Sequence, residues 1–261
     1  MITGLSRDMF GAQLTADLAA SLVDTSYAVH SDQPSTLAFV KLVDGHATYS
    51  FFDENSAGRV LRFEDIPPLS DAVSALFFGG ISLTVEPCAE AYRALCDRAG
   101  TDRLVMMDPN IRPGFIKDEA RYRERLAAMF KKTDIVKVSD EDLDWIFEGP
   151  ESLREKVAML LAAGPKRVVM TRGKDGAVIH GDHIQDTSVP SVLVKAVDTV
   201  GAGDSFNGGF LAKLSELGYL SKSKISEASE DVLAEALAHG AKVAAITVSR
   251  AGANPPWARE L

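Results

Sequence analysis

The stretch Asp198-Thr-Val-Gly201-Ala202-Gly203-Asp204-Ser-Phe-Asn-Gly-Gly209-Phe210 sets a small-residue turn and a carboxylate at the mouth of an apolar-periodic segment. Small residues at 201 to 203 let the backbone bend until successive N–H groups converge, which makes an anion-binding nest at a helix start. The positive end of the helix dipole reinforces it. A carboxylate beside a bound anion is repelled, so Asp204 needs a task that outweighs the repulsion. Abstraction of a proton from an attacking hydroxyl is such a task, and the chemistry suggested is phosphoryl transfer. The bland alternative is a Gly-rich loop with Asp204 as a helix cap.

Other devices fit less well. A Walker-type loop needs Gly, four residues, then Gly-Lys; the one Gly-Lys pair is Gly173-Lys174, and Val168 stands five before it. A dinucleotide fingerprint built on Gly201 and Gly203 meets Phe206 where its third glycine belongs. Gly203-Asp204-Ser205 resembles a hydrolase nucleophile segment, but no His in the chain has an Asp three residues before it. His180 and His183 flank an expected turn without a Cys or carboxylate spacing that completes a zinc site, and read as surface residues.

Three further segments come after apolar runs. Thr171-Arg-Gly173-Lys-Asp-Gly176 is a turn or a ligand loop. Asp108-Pro-Asn110-Ile-Arg112-Pro offers an amide and a planar guanidinium to phosphate or sugar hydroxyls. Lys137-Val-Ser139-Asp-Glu-Asp142 carries acids that could hold magnesium through water, or simply suit the first turn of a helix. Singly each is weak; together they set polar groups after three strands, at the edge where open α/β sheets bind ligands.

The elements that must position these groups are legible as short apolar runs alternating with amphipathic ones, which predicts an α/β fold with a mainly parallel sheet. Strands are expected at 75–78, 104–107, 135–138 and 167–171, and helices at 10–20, 86–99, 118–131, 152–162, 204–217 and 230–247. Ser35 to Leu42 and His46 to Phe52, joined through Asp44-Gly45, predict a hairpin. A second hairpin is expected from 176–180 and 183–186. Met1 to Ser6 reads as the end of a strand with no preceding element to pair with.

Composition bounds the rest. The 261 residues are 46% hydrophobic and 25% charged, ordinary for a globular chain with a substantial core. A formal charge of −9 without a long basic run argues against nucleic acid and for small-molecule partners. No signal-peptide pattern or bilayer-length apolar run is present, so the expectation is a cytoplasmic protein with no membrane partner. Cys88 and Cys96, on one expected helix, would lie roughly 12 Å apart, too far for a disulfide.

These residues carry a resemblance. The chain resembles the ribokinase-like, or PfkB, family of carbohydrate kinases, most closely its bacterial fructokinase branch. The resemblance implies one ribokinase-like domain over 1–261, ATP and Mg2+ as cofactors, sugar and ATP as partners, and transfer of the γ-phosphate to a sugar hydroxyl, fructose first. Kinases for 2-keto-3-deoxygluconate or nucleosides, and a nucleotide-binding remnant without activity, are the alternatives. It implies Asp204 as catalytic base and Gly201, Ala202 and Gly203 as anion hole. Lys137, Thr171, Gly173, Gly176 and Asn254 fall to the nucleotide, and Asn55, Asn110 and Arg112 to substrate or phosphate. Asp142 would reach Mg2+ through water, although Ser139 and Asp142 stand where the family often has Asn and Glu. Asp198 would help hold a monovalent cation such as K+. The strands within 35–52 would belong to a lid or a sheet edge, and a homodimer is allowed. The family normally opens with a strand bearing a sugar-binding acid and a Gly-Gly segment with its helix. Arg7-Asp8-Met-Phe10-Gly11 matches the family segment just beyond that helix, so the chain is expected to be N-terminally incomplete.

Overall fold

A computed structural model describes residues 1–43, 46–181 and 184–261. Contacts divide the chain into two compact units, Met1–Ser70 with Ile81–Leu95 and Gly114–Asp118, and Asp71–Gly80 with Cys96–Pro113 and Glu119–Leu261.

In the first unit, β1 (Gly4–Ser6) pairs in parallel with β2 (Val29–Ser31), across α1 (Met9–Ala20). The opening residues thus find their strand partner downstream, which sequence reading misses because β2 is three residues long. Asp8 caps α1, accepting the Gly11 N–H at 2.8 Å, and also takes the Ser35 N–H and hydroxyl, each at 2.8 Å. These bonds hold its carboxyl well below the usual carboxylate range, the Gly11 amide contributing most. The hairpin is β3 (Leu37–Val43) with β4 (His46–Phe52), Leu37 opposite Phe52 and Val43 opposite His46. It forms a separate two-stranded sheet and adds no strand to the edge of another. Its turn residues Asp44 and Gly45 lie outside the described residues.

The second unit is built on a six-stranded sheet. β5 (Ala75–Gly79), β6 (Leu104–Asp108), β7 (Ile135–Ser139) and β8 (Arg167–Thr171) run parallel. β9 (Ala177–Gly181) and β10 (Thr187–Val189) complete the edge antiparallel. The second hairpin strand is therefore Thr187–Val189 rather than 183–186, and Asp182 and His183 of its turn lie outside the described residues. β6 to β9 are buried along nearly their whole length, as expected for strands covered on both faces. For that reason His180, on β9, is buried, not superficial; its Nδ1 lies 2.9 Å from Asp186.

The crossovers between parallel strands hold α2 (Cys88–Ala99), α3 (Glu119–Phe130), α4 (Asp140–Ile146) and α5 (Leu153–Ala162), and α6 (Ala202–Glu216), α7 (Lys222–Glu227) and α8 (Glu230–Val248) follow the last strand. Cys88 and Cys96 are free and buried on α2, and burial pushes both thiols up to about 12. Leu104, Met106, Ile135, Val169 and Ile179 of the sheet pack with Phe206, Phe210 and Leu214 of α6 and Leu233 and Leu237 of α8. Full burial of one such side chain is worth about 1.5–3 kcal/mol, so the α6 face is firmly seated on the sheet. α4 touches β7 and α5 touches β8. Among the described residues no helix is long and apolar enough to cross a membrane.

Candidate active site

The polar groups gather beyond the carboxyl ends of β6, β7 and β8 and at the start of α6. Gly201 is the residue before α6 and has φ 77°, a left-handed conformation that glycine adopts without strain. A side chain there would also press on Ala253, since a Cβ would stand 2.8 Å from the Ala253 Cβ. No side chain caps this helix, whereas Asp8, Ser139, Ser152 and Ser229 cap α1, α4, α5 and α8. First-turn amides have no intrahelical acceptor, so an uncapped start leaves donors for an anion. Within the turn the Ala202 N–H reaches the Thr199 carbonyl at a long 3.3 Å. Asp204 is exposed in that first turn.

Asp198 fixes the approach to the cradle. Its Oδ1 accepts the Val200 N–H at 3.0 Å and its Oδ2 the Gly252 N–H at 2.9 Å, tying the turn before α6 to the loop after α8. The Val200 and Gly252 amides, in that order, lower its carboxyl below the usual range. Asn254 lies two residues beyond Gly252 and is exposed; its N–H bonds the Gly252 carbonyl at 2.9 Å.

The loop after β8 faces the same space. Gly173 and Gly176 have φ 52° and 86°, and a Cβ on Gly176 would stand 2.1 Å from the Val189 carbonyl oxygen, so only glycine permits that turn. Thr171, Gly173 and Gly176 line one cavity of about 560 Å³ together with Ala202, Gly203 and Phe206. Much of the remaining wall is apolar, with Val192, Leu193 and Val194 and with Ala241, Ala244 and Val248 of α8, while Lys174, Ser191 and Thr199 add polar groups. Sequence reading misses this wall, although the run Val192-Leu-Val194, exposed rather than packed, is its signal. A larger hollow of about 710 Å³ beside Lys166, Arg167 and Glu230 holds none of the predicted site groups, and size alone does not make it the site.

Beneath the cradle lies a buried polar cluster. Lys137 Nζ donates to Asp108 Oδ2 at 3.0 Å, and Asn207 Nδ2 donates to the same oxygen at 2.8 Å. Burial raises the Asp108 carboxyl above its ordinary value, with the Lys137 charge and the Asn207 amide opposing it. Lys137 Nζ lies 3.4 Å from where a Cβ on Gly203 would stand, directly under the first turn of α6. Neither Asp108 nor Asn207 receives a role from sequence; a lysine inside the apolar run of β7 is the clue that a buried counter-charge must exist.

Asp142 closes a capping box with Ser139. Its Oδ2 accepts the Ser139 N–H at 2.9 Å and hydroxyl at 2.8 Å, and its Oδ1 the Ile111 N–H at 2.8 Å. The last bond holds the 109–112 loop, in which Asn110 has φ 43° and donates its N–H to Asp108 Oδ1 at 3.1 Å. Arg112 is exposed and bonds the Ile111 carbonyl at 2.9 Å. Asn55 belongs to the other unit, at φ 56° beside Asp53, whose carboxylate accepts from Thr36 and Ser56. Among the described residues no three His, Cys, Asp or Glu come together as a metal cage.

Comparison with known proteins identifies a family. Residues 1–259 match the model of the pfkB family carbohydrate kinases. A fructokinase of Rhizobium leguminosarum bv. trifolii is 47% identical over 234 residues, 88% of this chain and 70% of that protein. The structure of a fructokinase with bound ATP from Xylella fastidiosa superposes with a TM-score of 0.86 at 26% identity, covering 97% of this chain and 79% of the other. Aminoimidazole riboside kinase from Salmonella enterica, complexed with aminoimidazole riboside and an ATP analog, gives a TM-score of 0.79 at 25% identity, covering 97% and 80%.

Proposed function

The chain belongs to the pfkB family of carbohydrate kinases, and from that premise we propose that it transfers the γ-phosphoryl group of ATP to a hydroxyl of fructose, with Asp204 as general base. The observation that carries the reading is the cavity in which the Thr171-to-Gly176 loop meets the uncapped start of α6. An apolar wall with one polar end suits a nucleotide, base against Val192 and Leu193 and phosphates toward Ala202 and Gly203. Asn254 serves the base end, and Lys137 the phosphate end.

In the reaction the sugar hydroxyl oxygen bonds to the γ-phosphorus as the bond to the β–γ bridging oxygen breaks and ADP leaves. Asp204 takes the hydroxyl proton. The amides at 201 to 203 stabilise charge on the equatorial oxygens, and Arg112 and Asn110 contribute from the loop after β6. Asn55 serves the sugar. Magnesium arriving with the nucleotide would neutralise charge on the phosphates. Such an ion is held largely by phosphate oxygens and water, and Asp142 is the carboxylate offered to its water shell. Asp198 serves a monovalent cation such as K+ beside the cradle.

Fructose rests on the Rhizobium relative, and the test is a coupled assay of ATP consumption against fructose, 2-keto-3-deoxygluconate and a riboside. Turnover with fructose at the highest kcat/KM is expected. Preference for the riboside or the keto acid would reassign the substrate, and phosphate transfer to none of them would overturn the kinase reading.

A further inference from the structure

We propose that Asn207 is a positioning residue for phosphoryl transfer, holding the Lys137 ammonium under the anion cradle by way of the Asp108 carboxylate. The proposal rests on the kinase reading above.

Lysine ends in a mobile point charge on a four-carbon stem, so a useful ammonium must be held. Here the side chain is 7% exposed and, among the described residues, Asp108 is its one hydrogen-bond partner. An ammonium has three donors. Two remain in an almost closed space next to Gly203, an arrangement that is satisfied by an anion in the cradle.

Asp108 is in turn fixed from three sides: Lys137 of β7 and Asn207 of α6 share Oδ2, and the Asn110 N–H takes Oδ1. Asn207 stands three residues after Asp204, on the same face of α6 within one turn. The base, the cradle and the amide that orients Asp108 therefore move as one helix. The Asn207 Oδ1 is buried without a partner among the described residues. The reverse amide orientation would set that oxygen against the carboxylate, so the Nδ2 must face Asp108 and the Oδ1 goes unmet. Half-satisfied amides cost stability that an apolar residue of equal size would not. Charge geometry, rather than packing, accounts for an amide here.

The charged and titratable groups facing Asp108 are Lys137 from β7, Asp142 from α4 and Tyr122 from α3. Burial and Asp142 favour its protonated form, while Lys137 and Asn207 favour the carboxylate. Loss of the Asn207 donor shifts the balance toward protonation, and a neutral Asp108 no longer fixes the ammonium.

The experiment is the pH profile of kcat for the whole chain and for Asn207→Leu, with ADP affinity by calorimetry. Expected are a kcat lower by roughly tenfold or more, as when an orienting partner is removed from a metal ligand, an acid limb moved to higher pH, and ADP bound more weakly. In an Asp108→Asn background the same change should add little, since the partner it orients has lost its charge. An unmoved acid limb, or an equal effect in both backgrounds, would overturn the proposal in favour of packing alone. If Asn207→Leu does not give a cooperative thermal transition, Asp108→Asn alone decides: kcat should fall by roughly tenfold or more and its acid limb should become less steep, since the base Asp204 alone then shapes it; a parental kcat and slope refute the idea. Phosphate transfer by the parent chain to no sugar would instead sink the kinase reading, a separate outcome.

Discussion

The hydroxyls of Ser205 and Thr247 lie 2.9 Å apart in the buried contact between α6 and α8, immediately after Asp204 in sequence. Thr247 also reaches the Val243 carbonyl at 3.0 Å. A serine so engaged is part of the helix seam, not a nucleophile, and the hydrolase-like reading of Gly203-Asp204-Ser205 loses its reacting group. Ser205→Ala is expected to keep most turnover and to lower stability by about 1 kcal/mol, the net worth of one hydrogen bond. Denaturant melts and a kinase assay on the same preparation check both.

The same seam depends on glycine. A Cβ on Gly240 would stand 2.9 Å from the Phe206 carbonyl oxygen, which belongs to backbone and cannot yield locally. Gly240→Ala should therefore destabilise by about 1–3 kcal/mol, the usual scale of overpacking. Because α6 would have to shift, ATP turnover should fall as well, whereas Gly208→Ala, with nothing within 4 Å, should leave turnover unchanged.

Gly201→Ala tests the cradle itself. An L-residue held in the left-handed region costs roughly 1–2 kcal/mol, and the contact with Ala253 adds to it. Calorimetry should find ADP bound at least tenfold more weakly than by the parent, while the far-ultraviolet spectrum is retained; unaltered affinity would remove the turn from the phosphate site.

The fold is largely readable because periodicity is a local property. The strands at 75–79, 104–108, 135–139 and 167–171, and the helices between them, each announce themselves within a dozen residues. The glycines at 201, 203, 173 and 176 are readable for the same reason, since their backbone demands are set by immediate neighbours. Asp108 and Asn207 are not: they are 99 residues apart, and their meeting depends on α6 lying over β6 and β7. His180 is misjudged from sequence because a three-residue partner strand, β10, gives too short an apolar signal to reveal that β9 is covered. The ambiguity at Asp142, cap or metal group, is present in the sequence and has a geometric basis, for its two oxygens serve the Ser139 cap and the Ile111 amide.

That bond to Ile111 gives another prediction. Asp142→Ala removes the acceptor for Ser139 and for the loop bearing Asn110 and Arg112, and should cost about 1–3 kcal/mol from unsatisfied buried amides. The expected kinetic signature is a raised KM for sugar with a smaller change in kcat; a sugar KM equal to that of the parent would detach the loop from substrate.

In the first unit, Asp8 supplies a dependence on pH. Its carboxyl is depressed in the folded state, so it contributes stability above its unfolded value, about 3.9, and that contribution is lost as pH falls through the acid range toward the folded value. Asp8→Asn should flatten the acid side of the stability profile, followed by circular dichroism from neutral pH downward; parallel curves for the two proteins would contradict the assignment.

The central claim is that Asp204 removes the proton from the attacking hydroxyl. Single-turnover transfer from γ-labelled ATP to fructose by Asp204→Asn, measured beside ADP affinity, tests it most directly. The account predicts a rate lower by about 10²- to 10⁴-fold with ADP binding intact; transfer at a rate close to that of the parent would contradict it.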